Sequence, residues 1–340
     1  MSEGISVEQK QLMAENSFSV LVEEAADGSV GSAVDILAHV SKLSKGKIKD
    51  AMQKGAVWRE ERLARSTKSV SAPSNDEPAA DNAGLYGHGR RGKPRRLRRA
   101  TAALNSGDKL LMYYNARVLA ASCPEAKLIA DQGAYSVWDK PAGMLCQGSK
   151  WGDHLTLNRW VETRLEPRRP VFVVHRLDRM ASGLVVLAHT KQAAAALSAQ
   201  FAQRQVSKKY ECIVHGVFQE DIPVLLEEPL YGKWALTRIE SINSGSDGNL
   251  TLDIIGNGAE LAPLPKNQFT KLLVSIETGR KHQIRRHLAD YGFPIAGDRQ
   301  YAADAASPKT PDGALLDLQL RAIQLAFSDP KKGGRVEWKI

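Results

Sequence analysis

The sequence predicts an α+β protein. Short strand-like runs at residues 135–138, 171–174, 184–188, 206–214, 250–255 and 272–276 outnumber the helical stretches between them. No repeat period relates the two halves. The 340 residues favour two domains over one, and a composition of 43% hydrophobic and 25% charged residues excludes wholesale disorder.

The first ordered segment is residues 32–54. Val34, Leu37 and Val40, then Ile48 and Met52, fall at helical spacing on either side of a polar break at 44–46, which predicts two short helices. The second carries Lys45, Lys47, Lys49 and Lys54 and ends at Gly55, a residue suited to a helix C-terminus, before a strand at 56–58. Between 66 and 94 large apolar residues nearly vanish, so a mobile insertion is expected there. Seven of the ten residues from 90 to 99 are basic, Arg95 and Arg96 among them, either a phosphate-binding run or a solvated basic loop. A turn at Gly107-Asp108 and a strand at 110–114 follow. Helices are predicted over 190–203, where Leu197 and Phe201 are four apart, and over 279–291, where Ile284 and Leu288 are.

Lys and Arg number 47 against 38 Asp and Glu, for a net charge of +9, which points to a polyanionic partner or surface. Three separated cysteines give neither a disulfide framework nor a cysteine zinc site and suit a reducing cytoplasm. The first 17 residues lack an apolar signal core, and no apolar run approaches a membrane span. Gly87-His88-Gly89-Arg90-Arg91-Gly92 fits G-x-G-x-x-G, but no strand precedes it and no apolar helix follows, so nucleotide binding is not expected.

Two clusters carry potential chemistry. His175-Arg176-Leu177-Asp178-Arg179 lies between two apolar runs, which places a carboxylate flanked by arginines on a loop. It is either a reactive group or a structural ion pair. Residues 277–288 include Arg280, His282, Arg285 and His287. A helix opening at Gly279 would put Arg280 in its first turn, an anion-binding position. His282 and His287 are five apart, a poor spacing for a shared metal, and no metal site is expected. Tyr210, in the strand around 208–212, serves either core packing or base stacking.

Lys140-Pro141-Ala142-Gly143-Met144, His175-Arg176-Leu177-Asp178-Arg179 with Ser182-Gly183-Leu184, Lys209-Tyr210, Glu277-Thr278-Gly279-Arg280 with His282-Gln283-Ile284-Arg285, and Pro294-Ile295-Ala296-Gly297-Asp298 occur in this order. Together they resemble the motifs of the RluA-type pseudouridine synthases, over roughly residues 134–330. Residues 32–114 more weakly resemble the S4 RNA-binding module. Two positions depart from the family pattern: Ala181 stands where it usually has Thr, and Arg321 where it usually has His.

The resemblance implies a mixed, largely antiparallel catalytic sheet (residues 126–340), preceded by a small α/β-type S4-like module (32–119) with a basic insertion at about 66–95 and an N-terminal extension (1–31). It implies isomerisation of uridine to pseudouridine in structured RNA without a cofactor, with 23S ribosomal RNA the expected target. The alternatives are transfer RNA, or a non-catalytic RNA-binding or ribosome assembly role. A glycosidase would need a second catalytic carboxylate. Asp178 matches the catalytic aspartate, as nucleophile or as base. Tyr210 matches the tyrosine that stacks on the uracil, and Arg280 is expected to pair with Asp178. Arg176 would fill the gap left by an extruded nucleotide. Leu177 and Ile284 would form the apolar side of the pocket, while His175, Arg179 and Lys140, and in the N-terminal region Lys45, Lys47, Lys49, Arg95 and Arg96, would meet RNA. A cytoplasmic monomer is expected, since no heptad pattern appears.

Overall fold

The computed structural model describes residues 17–63, 91–243, 269–302 and 316–340. The strand expected at 250–255 and most of the insertion lie outside these. The chain forms two compact units: Met1–Ala121 with Ser149–His154, and Ser122–Gly148 with Leu155–Ile340.

In the first unit, β1 (Ser17–Leu21), β4 (Lys109–Tyr113), β2 (Val57–Glu60) and β3 (Arg95–Arg96) form, in that order, an antiparallel sheet. Helices α1 (Ala33–Ser41) and α2 (Lys45–Gln53) cover it, and α3 (Ala116–Ala120) follows β4. Ser32 and Ser44 cap α1 and α2, their hydroxyls accepting from the amides of Asp35 and Lys47. Ile48, Ala51 and Met52 form the buried face of α2 and share a core with Leu37, Leu110 and Met112. That leaves Lys45, Lys47 and Lys49 exposed on its other side. Strand β1 was expected to belong to an N-terminal extension. It instead completes the sheet, because Val20 joins the core as β1 pairs with β4.

The second unit contains β5 (Lys127–Asp131), β6 (Tyr135–Lys140), α4 (Leu157–Arg164), β7 (Phe172–Val173), β8 (Ser182–Ala188), α5 (Lys191–Ala202) and β9 (Ser207–His215). Then come β10 (Val224–Leu226), β11 (Thr237–Asn243), β12 (Phe269–Ile276), α6 (Gln283–Asp290), β13 (Leu320–Ser328) and β14 (Arg335–Lys339). Among the described residues, ten strands form one sheet in the order β10-β11-β12-β9-β13-β8-β6-β5, with β14 on β13 and β7 on β8. Its pairs are antiparallel except β13 with β8, so the fold is α+β with a mixed, largely antiparallel sheet.

Strand β8 is buried along its whole length. Leu184, Val186 and Ala188 pack with Ala193 and Leu197 of α5, while Val185 and Leu187 face Trp138, Leu157 and Val161. A continuous apolar run results because both faces are covered, each buried Val or Leu contributing roughly 1.5–3 kcal/mol. Gly183 has φ +107°, and a Cβ there would stand 2.2 Å from the Ala322 carbonyl oxygen, so the β8–β13 contact requires glycine.

Candidate active site

The loop between β7 and β8 presents Asp178, and it is gripped from below on both sides. On one side the Cys146 thiol accepts from the Leu177 amide at 3.2 Å. On the other, Lys140 is fully buried, with Nζ near the carbonyls of Ala181 (2.6 Å), Met144 (2.9 Å), Pro141 (3.0 Å) and Arg179 (3.3 Å). Burial pulls the Lys140 ammonium down to about 8. The expectation that Lys140 meets RNA is therefore corrected: a side chain with no exposed surface and carbonyl partners fixes the loop instead.

His175 was also expected at the RNA. Its Nε2 accepts from the Val186 amide at 3.0 Å and its ring stacks on Phe201 at 4.4 Å. Burial drives its pKa down to about 3, so the ring is neutral and anchors the loop to β8. Arg176 is exposed, and Arg179 is exposed with Nε on the Gly143 carbonyl at 3.1 Å. Leu177 is half-buried and Ile284 fully buried, both in the apolar cluster that contains Tyr210.

The partner of Asp178 is not Arg280. Helix α6 begins at Gln283, not Gly279, because the Gln283 side chain closes the preceding turn: its Oε1 accepts from Thr278 Oγ1 (2.6 Å) and the Arg280 amide (3.1 Å). Arg280 therefore precedes the helix, and its Nε donates to the Trp234 carbonyl at 3.1 Å. Arg285, on the buried face of α6, reaches Asp178 instead, with Nη1 3.3 Å from Oδ2. Its Nε and Nη2 are held bidentately by Asp298 at 2.7 and 2.8 Å. Asp298 also accepts from the amides of Gln300 and Tyr301, which with Arg285 hold its carboxyl below the usual range. Gly297, at φ +76°, has no room for a Cβ, which would stand 2.2 Å from the Asp317 carbonyl oxygen.

His282 completes the group, its Nε2 3.9 Å from Asp178 Oδ1 and its Nδ1 2.9 Å from the Tyr301 hydroxyl. Burial lowers its pKa and the Asp178 charge opposes that shift. Tyr210 is 7% exposed on β9, opposite Val274 and Ala322. Burial and the charge of Asp178 both raise its phenol pKa, so it is a protonated group beside that carboxylate. Its ring is mainly core, with Asp178 as the charge it faces.

Above these residues opens a cleft of about 430 Å³, lined by Asp178, Met180, His282, Arg285, Arg299 and Leu318 among others. That is room for a nucleotide-sized ligand. The Asp178 side chain is 28% exposed, whereas that of Asp298 is fully buried and occupied by Arg285. The sequence signal for Arg285 was its place next to Ile284 on an apolar helix face, where a buried guanidinium requires a carboxylate, and Gly297-Asp298 supplies one.

In the other unit, Lys45 pairs with Asp35 at 2.6 Å, while Lys47, Lys49 and Arg95 are exposed. Arg96 was expected to meet RNA. It is instead half-buried over the Trp58 ring at 4.2 Å, bound to Asp153 (3.2 Å) and to the carbonyls of Ser149 (2.7 Å) and Gly55. Its guanidinium is consumed within the unit.

Residues 134–290 match the family model of RNA pseudouridylate synthase. "Ribosomal large subunit pseudouridine synthase D" of Nitrosomonas europaea is 31% identical over 222 residues, covering 63% of this chain and 61% of that protein. "Dual-specificity RNA pseudouridine synthase RluA" of Vibrio parahaemolyticus is 35% identical over 197 residues, 57% of this chain and 74% of that one. "tRNA pseudouridine synthase C" of Haemophilus ducreyi is 31% identical over 201 residues, 57% of this chain and 81% of that one.

Proposed function

We propose that this chain, which belongs to the RluA-type family of RNA pseudouridine synthases, isomerises specific uridines to pseudouridine in structured RNA. The observation that carries the reading is a carboxylate facing an open cleft, Asp178, with its arginine immobilised by a second, buried carboxylate, Asp298. In the reaction the N1–C1′ bond breaks, the uracil turns and C5 bonds C1′. The C5 proton leaves and N1 ends protonated, so atoms balance without a co-reactant, and no cofactor is part of the proposal.

Asp178 starts the reaction, as nucleophile or as base on the sugar. Arg285 holds it oriented, the pairing expected of Arg280. Tyr210, a protonated group beside Asp178, is the proposed partner for proton transfer at C5. Arg176, exposed on the same loop, suits the space of an extruded nucleotide.

The first unit is proposed to be an S4-like RNA-binding module. The exposed lysines of α2 on a small helix-covered sheet support this. Large-subunit ribosomal RNA is placed ahead of transfer RNA as the target, and a cytoplasmic monomer is the proposed form. Among the described residues no helix is long and apolar enough to cross a membrane.

Site-by-site pseudouridine mapping on unmodified ribosomal and transfer RNA, with wild type and Asp178→Ala in parallel, tests the reading. New pseudouridine made by wild type alone is expected and identifies the target. Its absence from every RNA would overturn the assignment.

A further inference from the structure

A feature outside the cleft has no part in that chemistry. Between β10 and β11, Leu230 and Lys233 exchange both backbone hydrogen bonds, at 2.9 and 3.1 Å, around a two-residue turn. Its central residues, Tyr231 and Gly232, have φ +54° and +69°, the type I′ conformation. Asn, Asp or Gly normally fills the first of these positions, since a left-handed backbone strains a residue with an ordinary side chain. Here a tyrosine occupies it and remains 60% exposed, with Trp234 40% exposed three residues on. Burial therefore does not offset the strain. Large aromatic rings held out to water on a strained tip are a sign of use.

The surroundings are cationic. The Arg286 guanidinium lies 4.8 Å from the Tyr231 ring centroid, and that of Arg204 lies 4.8 Å from Trp234. Arg280 is tied to the Trp234 carbonyl. The arrangement adjoins the active site: the residue before Arg286 is Arg285, which holds Asp178, and on the same segment His282 stands 3.9 Å from Asp178.

We propose that Tyr231 and Trp234 form a stacking platform for unpaired nucleotides next to the target uridine, with Arg204, Arg280 and Arg286 meeting their phosphates. The inference rests on the RNA-modifying reading above. Bases offer a π-face whatever their sequence, so exposed rings bind unpaired nucleotides without reading them. Arginines beside aromatic rings match a chain in which base and phosphate alternate. A protein partner would need a carboxylate for each of three guanidinium groups beside its apolar contacts, whereas an RNA strand supplies both in its regular alternation of base and phosphate.

The test measures binding of a fluorescein-labelled ten-nucleotide oligouridine to the full chain by fluorescence anisotropy. Tyr231→Ala/Trp234→Ala is expected to raise Kd by about tenfold or more, and Tyr231→Phe/Trp234→Phe to stay within about twofold of wild type. Should the double alanine variant not fold by circular dichroism, Trp234→Ala alone decides, with a rise of about fivefold or more expected. An unchanged Kd in the alanine variants overturns the platform, as does an equal loss in the phenylalanine pair. A changed oligomeric state in sedimentation with Kd unchanged assigns the rings to a second copy of the chain and also overturns it. The two readings fail separately. Pseudouridine made by wild type beside an unchanged Kd removes only the platform, whereas no pseudouridine in any RNA removes the function while the Kd ratio stands by itself.

Discussion

Each unit contains a cluster of arginine and aspartate, and the two distribute their bonds in opposite ways. In the first unit the carboxylate is enclosed: the Asp153 side chain is 8% exposed and receives both Arg96 and Arg98. Arg96 is spent as well, on two carbonyls and a tryptophan face. In the second unit the arginine is enclosed: Arg285 is clamped by the buried Asp298, and Asp178 keeps an open side towards the cleft. Composition does not separate the two. A cluster that uses up its carboxylate holds a fold together, while one that immobilises its cation and leaves the carboxylate accessible is prepared for chemistry.

The largest effect expected from this contrast is on turnover. Asp178→Ala should lower single-turnover pseudouridine formation by about 10²–10⁴-fold. Its melting temperature should barely move, because the residue is partly exposed and Arg285 keeps Asp298. Asp153→Ala should do the reverse, losing about 1–3 kcal/mol of stability with kcat unchanged. A catalytic defect in Asp153→Ala equal to that of Asp178→Ala would break the comparison. Next is Arg285→Met, which leaves the Asp298 carboxylate buried without its cation. It should cost about 3–5 kcal/mol in addition to turnover. Adding Asp298→Leu should recover stability but not activity, and recovery of both would show that Arg285 matters only for the fold.

The anchors beneath the loop come next in size. Lys140→Met removes the donor to the surrounding carbonyls and should destabilise by about 2–3 kcal/mol, with a fall in kcat as Asp178 loses its fixed position. His175 gives a pH signature. Its folded pKa of about 3 lies below the ordinary 6.5, so between these values the unfolded chain binds the extra proton. Stability from this group is whole above pH 6.5 and is lost as pH falls towards 3. Melting temperatures across that range should drop less steeply for His175→Phe than for wild type, and parallel curves would remove the neutral histidine.

The parts legible in the sequence are those that a local pattern determines. The two capped helices of the first unit and the apolar run of β8 follow from spacing and burial alone. Asp178 and Tyr210 stand out through their motifs. What stayed hidden depends on distance in space. Strand β1 acquires its meaning only by pairing with β4, 88 or more residues away in the chain. Lys140 reads as a surface cation until the β7–β8 loop closes over it. Arg280 and Arg285 are both arginines of one motif, and the choice between them turned on where α6 starts, which Gln283 decides by closing the preceding turn with its side chain.

That choice yields the smallest expected effect and the sharpest test of the comparison. Arg280 is half-buried, lies outside α6 and makes a side-chain hydrogen bond to the Trp234 carbonyl. A bond of that kind contributes about 1 kcal/mol, so Arg280→Ala should change activity by roughly fivefold. The change should fall on KM, since the residue stands beside the exposed rings, while kcat stays near wild type. Arg285→Met should show the opposite split, with kcat carrying the loss. If Arg280→Ala instead depresses kcat as far as Arg285→Met does, Arg280 swings onto Asp178 when RNA binds. The immobilised-cation account would then give way to one in which the substrate assembles the ion pair.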